Sequence, residues 1–137
     1  MENGRLRMVR EWPRIGSHAG ALDCVLSGKT GPRVEIVLSH AGSDGRIVQA
    51  LMQAGVDGIV VAGTGNGTLH EQLEEVLLQA LDGGIRVLRS TRCSLGQVLD
   101  IEGDRIPASN RPPVKARIDL MLDLIEAAAA PAAQVSR

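Results

Sequence analysis

From Arg33 onward the chain alternates short apolar runs with stretches whose apolar residues recur at helical spacing, and this alternation admits few folds. Strand, helix and strand in succession set the two strands parallel, with the helix crossing one face of the sheet. The first run, Val34-Glu35-Ile36-Val37-Leu38, ends at Ser39-His40-Ala41-Gly42. Asp44 then stands where a helix cap belongs, ahead of Ile47, Val48, Leu51 and Ala54 on one face, and Gly55 closes that helix. The second run, Gly58-Ile59-Val60-Val61-Ala62, is apolar on both alternating faces, as suits a central strand covered on each side. It leads through Gly63-Thr64-Gly65-Asn66-Gly67-Thr68 into a helix that turns Leu69, Leu73, Val76, Leu77, Ala80 and Leu81 inward. Gly83-Gly84 ends that helix, and Ile85-Arg86-Val87-Leu88 makes a third strand.

The pattern weakens after Arg92, leaving a short fourth strand near 105–108. Pro112-Pro113 then opens a last helix, with Val114, Ile118, Met121, Leu122 and Ile125 facing inward. Lys115, Asp119, Asp123 and Glu126 fall on its solvated face. Residues 1–31 read as a hairpin and linker, because Gly4, Pro13, Gly16, Gly20, Gly28 and Gly31 interrupt every apolar run. The expected architecture is α/β: a small three-layer, Rossmann-like domain over residues 32–129, with a parallel sheet of about four strands flanked by helices. Residues 130–137 read as a flexible tail.

The formal net charge is −1 with acids and bases intermixed, so nothing draws this chain to nucleic acid or an anionic membrane. Its apolar runs are shorter than a bilayer span and its first residues are too polar for a secretory signal, so a cytoplasmic place is expected. Cys24 and Cys93 are too few for a disulfide framework or a zinc cluster. His18, His40 and His70 share no metal-ligand spacing, and neither a metal nor a cofactor is expected. With no Phe, no Tyr and a single Trp12, the core must be aliphatic.

Three features could carry chemistry. The turn 63–68 joins a strand to a helix, where backbone N–H groups favour a carboxylate or phosphate. Its pattern is GxGxG rather than the dinucleotide fingerprint, and no acid follows at a strand end to hold a ribose. The plainer reading is that the glycines only make the turn, while Thr68 and Glu71 form a capping box. Cys93 stands among Arg89, Arg92 and Ser94 and could be a nucleophile, but no adjacent histidine offers a base, and small free cysteines usually fill space. Glu102, in a polar loop, is either a site carboxylate or simply exposed.

The segment from Gly58 to Thr68 resembles the C-terminal domain of bacterial type II L-asparaginases. The resemblance begins at Pro32-Arg33-Val34-Glu35-Ile36-Val37. It runs on in register through Val87-Leu88-Arg89-Ser90-Thr91-Arg92, Gly96 and Pro113-Val114-Lys115-Ala116-Arg117, covering about residues 32–126. It implies two α/β domains, with the nucleophilic threonine, a tyrosine and a threonine-lysine-aspartate set in an N-terminal catalytic domain. None of the threonines here (Thr30, Thr64, Thr68 and Thr91) matches those catalytic motifs. The resemblance also implies a homo-oligomer, dimer or tetramer, in which this domain completes a neighbouring subunit's site for a small amino-acid substrate. Thr68, with Asn66 and Gly67, falls where the family's turn reaches the bound amino acid, and Glu102 is nearest to the family's carboxylate for the substrate amino group. Hydrolysis of asparagine, and of glutamine as a second substrate, to the acid and ammonia is the implied activity. A stand-alone module binding small anions is the alternative, and a hydrolase working through Cys93 is the third.

Overall fold

The computed structural model describes residues 19–28, 30–99 and 103–129. Its elements are α1 (Ala19–Leu26), β1 (Val34–Leu38), α2 (Arg46–Gln53), β2 (Gly58–Gly63), α3 (Glu71–Asp82), β3 (Arg86–Thr91) and α4 (Pro113–Ala129). The strands form a parallel sheet in the order β1-β2-β3. Successive right-handed crossovers in one direction put both connecting helices on one face. Val48 of α2 and Leu73, Val76, Leu77 and Ala80 of α3 accordingly pack with Val37, Ile59, Val61 and Val87. On the other face Ala116 and Leu120 of α4 pack with Val34 and Val60. The expected three layers are present, and all of β2 is buried.

The fourth strand shrinks to a single parallel bridge between Arg89 and Ala108. Pro107 has no N–H to extend a ladder, and Asp104 Oδ1 accepts the Ile106 N–H at 2.9 Å, which turns the chain just before it. Ile106 nevertheless enters the core between the sheet and α3.

Two helix readings need correction. Gly45, not Asp44, is the N-cap of α2; Asp44 sits one residue earlier and accepts the Arg46 N–H at 3.2 Å. That bond and the Arg46 guanidinium hold the Asp44 carboxyl below the ordinary carboxylate range. In α4 the inward residues are Ala116, Leu120 and Ile125, with Met121 and Leu124 partly buried, whereas Val114 and Ile118 are 67% and 46% exposed. The helix is apolar enough around its circumference for tertiary contacts to choose the face. Gly58 gives that face room: a Cβ there would lie 3.0 Å from Leu120 Cδ2 and 3.2 Å from Val34 Cγ2, closer than side chains normally pack. Arg117 Nε then donates to Val34 O at 2.7 Å and ties the same face to β1.

Residues 19–26, expected as linker, are helical despite Gly20, because α1 packs on α4 and buries Ala21. Residues 1–18 of the expected hairpin and linker (1–31), and the expected tail (130–137), lie outside the described residues.

The corrected α4 face is measurable by unfolding. Leu120→Ala is expected to cost about 2–5 kcal/mol as a buried leucine truncation, and Val114→Ala less than about 0.5 kcal/mol. Denaturant midpoints with the order reversed would return Val114 to the core.

Candidate functional site

Parallel strands bring their carboxyl ends to one edge of the sheet, where open α/β sheets hold ligands. Here that edge gathers Ser39 and His40 after β1, the turn 63–68 after β2, and Arg92 and Cys93 after β3. The turn is a minimal hairpin: Thr64 N donates to Thr68 O and Thr68 N to Thr64 O, both at 2.9 Å. Gly67 N also donates to Thr64 O at 2.9 Å.

The segment that continues β3 then clasps this hairpin. Arg92 N donates to Gly63 O at 3.0 Å, Thr91 Oγ1 to Gly65 O at 2.6 Å and Leu99 N to Asn66 O at 3.3 Å. Thr91 Oγ1 also accepts the Cys93 N–H at 3.1 Å. Packing is equally close. A Cβ on Gly96 would stand 2.6 Å from Gly65 O, and one on Gly67 would stand 2.8 Å from Val98 Cγ1. Gly67 has φ +92°, which a side chain would strain whatever the space. The glycines therefore serve the close approach of residues 91–99 as well as the turn itself.

Thr68 does not cap α3. The N-cap is His70, whose own side chain makes no capping bond and whose backbone N–H goes to Ser39 Oγ at 3.1 Å. The helix starts at Glu71, beyond the turn, with Glu71 and Glu74 in its first turn. Two carboxylates at that positive end already complement the dipole, so an anion is not drawn there. Thr68 and Asn66 are exposed, and among the described residues neither side chain has a hydrogen-bond partner. Gly67 is buried beneath them. The structure thus brings together three of the expected site residues, while Glu102 lies outside the described residues.

The other candidates disperse. Cys93 is exposed at the edge of the clasp, and the Arg89 charge expected beside it pairs with Asp104 instead. Cys24 is partly buried, away from this edge, in a groove of about 830 Å³ between α1, α4 and the amino end of β2. His40 is exposed with Nδ1 2.9 Å from Ala41 O, and His70 Nδ1 is buried without a partner among the described residues. His18 lies outside them. Among the described residues no three His, Cys, Asp or Glu side chains gather as metal ligands would. Sequence reasoning missed the clasp, whose parts are Thr91, Gly96, Val98 and Leu99. Its one signal in the sequence is a charged residue, Arg89, within a strand, and the structure buries it together with Ser90 and Thr91.

Comparison with known proteins shows which family this fold belongs to. Residues 33–134 match the family described as Glutaminase/Asparaginase C-terminal domain. L-asparaginase 2 of Bacillus subtilis is 36% identical over 97 residues, covering 68% of this chain and 26% of that protein. Glutaminase-asparaginase of Pseudomonas fluorescens is 31% identical over 135 residues, covering 88% of this chain and 37% of that protein. The crystal structure of a probable cytoplasmic L-asparaginase from Campylobacter jejuni superposes with a TM-score of 0.65 at 37% identity, covering 69% of this chain and 33% of its own. The chain thus spans between a quarter and two fifths of the length of these relatives.

The clasp makes a stability prediction that separates structural from presented residues. Gly67→Ala is expected to cost roughly 1–3 kcal/mol through φ strain and the clash with Val98, and Thr68→Ala less than about 0.5 kcal/mol. Equal losses by calorimetry would mean that Thr68 is structural after all. The fold, the glycine turn and the matched residues together assign this chain to the family of glutaminase/asparaginase C-terminal domains.

Proposed function

We propose that this chain is the C-terminal domain of an asparagine- and glutamine-hydrolysing amidohydrolase, and that it presents Asn66 and Thr68 to a substrate held by the catalytic domain of a neighbouring subunit. The carrying observation is the contrast within the turn. Its carbonyls at 63, 65 and 66 are consumed by the clasp, while the Asn66 side chain and Thr68 hydroxyl stand exposed with no partner among the described residues. A rigid backbone that leaves polar side chains free is suited to orient a small polar ligand.

The chemistry is nucleophilic. A hydroxyl of the catalytic domain attacks the side-chain amide carbonyl, ammonia leaves with a proton, and water releases the acid from the acyl-enzyme. Donors of that domain stabilise the oxyanion. In this chain the threonines lie in the turn, in β3 or near residue 30, and there is no tyrosine to accompany one of them. The role of the present domain is therefore positioning and specificity, with Gly67 holding the turn and Glu102 the candidate partner for the substrate amino group. Leu95 and Leu99, 75% and 55% exposed on the clasp, offer apolar surface to the catalytic domain and the second subunit of a homo-oligomer. No described helix is long and apolar enough to cross a membrane, and a cytoplasmic place, as in the name of the Campylobacter jejuni protein, belongs to the same reading. The alternative of a stand-alone anion-binding module is disfavoured by Glu71 and Glu74 beside the turn.

Two measurements test this. The purified chain is expected to release no ammonia from asparagine or glutamine, and turnover that persists after removal of host asparaginase would contradict it. The second uses a hybrid in which residues 33–129 replace the C-terminal domain of L-asparaginase 2 of Bacillus subtilis. There Thr68→Ala is expected to lower kcat/KM about 10- to 100-fold with Tm unchanged, and Thr68→Asn to shift the balance between the two amides. Kinetics equal to the unsubstituted hybrid for both substrates would remove Thr68 from the site.

A further inference from the structure

Among the described residues Arg89 is the one buried side chain that carries a charge. Its guanidinium pairs with the Asp104 carboxylate, the two side chains being 8% and 12% exposed, and Nη2 also donates to Leu99 O at 3.2 Å. Its main chain is engaged as well: Arg89 N donates to Pro107 O at 2.8 Å, and Ser109 N to Arg89 O at 2.7 Å. The Nε–H is buried with no partner among the described residues.

Such a pair is a poor device for stability. Taking both ions out of water costs several kcal/mol each in effective terms, and apolar residues of similar volume often serve as well or better. What an arginine supplies and an apolar side chain cannot is a rigid planar fork, one limb of which, Nη2, here holds two acceptors at once, its two N–H directions fixed by the plane. One of those acceptors is Leu99, which reaches the site from its other side: Leu99 O is held by Arg89, and Leu99 N–H holds Asn66 O. Two hydrogen bonds therefore connect a buried charge on β3 to the crest of the turn. Val98, the preceding residue, packs where a Gly67 Cβ would be.

We propose that Arg89, oriented by Asp104, is a positioning residue for the turn: its guanidinium sets the place of Leu99, and through Leu99 that of Asn66 and Gly67. That this turn faces substrate rests on the function proposed above; the mechanical link does not.

The test is amide spectroscopy and hydrogen exchange on the ¹⁵N-labelled chain, comparing it with the double variant Arg89→Met/Asp104→Leu. The apolar pair retains volume and removes the fork. The expected result is native exchange in α2, α3 and β2, with Leu99 N–H exchange faster by about tenfold and the Asn66 and Gly67 resonances displaced. Arg89→Lys retains the charge but not the fork, and is expected to show the same local pattern should the double variant fail to fold. Native Leu99 exchange and unmoved Asn66 and Gly67 signals in either folded variant would overturn the proposal. Exchange that quickens equally across β2 and α3 would also overturn it, by reducing the pair to general support of the fold. Because the readout needs no substrate, an inactive hybrid enzyme would count against the proposed function and leave this link standing.

Discussion

Burial of β2 on both faces, with ladders to β1 and β3 along both edges, is the constraint on which the other elements depend. A strand so placed leaves no face for water, so α2 and α3 must cover Ile59 and Val61, and α4 must cover Val60. The register then carries into the site. Gly63 pairs with Thr91, so the residues that follow each strand leave the sheet side by side, and Arg92 N extends the pairing by one more bond to Gly63 O. The turn is held because it continues a buried ladder rather than hanging from it.

That placement divides the turn into backbone that is used and side chains that are offered. Hydrogen bonds from residues 91–99 take up its carbonyls, and contacts at Gly67 and Gly96 leave little room for motion. The carboxylates of Glu71 and Glu74 occupy the dipole end that would otherwise attract an anion. Asn66 and Thr68 are left exposed on the turn, and Leu95 and Leu99 on the clasp; in the proposed function the first two meet substrate and the leucines meet another domain.

The features legible in the sequence were those decided locally. The run 58–62 is apolar on both faces because both faces are covered, and α3 shows one clean stripe because it packs on one side only. Where a distant partner decides, the local pattern misleads. Thr68 and Glu71 have capping-box spacing, but Ser39, from the end of β1, takes the His70 N–H and the helix starts after it. Val114 and Ile118 fit an inward stripe, but it is the Ala116 and Leu120 face that packs on Val34 and Val60, with Arg117 bonded to Val34 O. Gly20 argued against a helix that α4 supports. The turn itself was readable as a motif, whereas the clasp was not, since its bonds join residues separated by roughly 26–33 positions with no periodic signature.

The central claim is that a clasped glycine turn completes another subunit's substrate site. Its most direct test is a crystal structure of the Bacillus subtilis hybrid with aspartate bound. The account predicts the Thr68 hydroxyl or the Asn66 side chain within about 3.5 Å of a ligand seated in the partner subunit, on a turn still bonded to residues 91–99. An ordered aspartate in that site with the turn beyond hydrogen-bonding reach would contradict it.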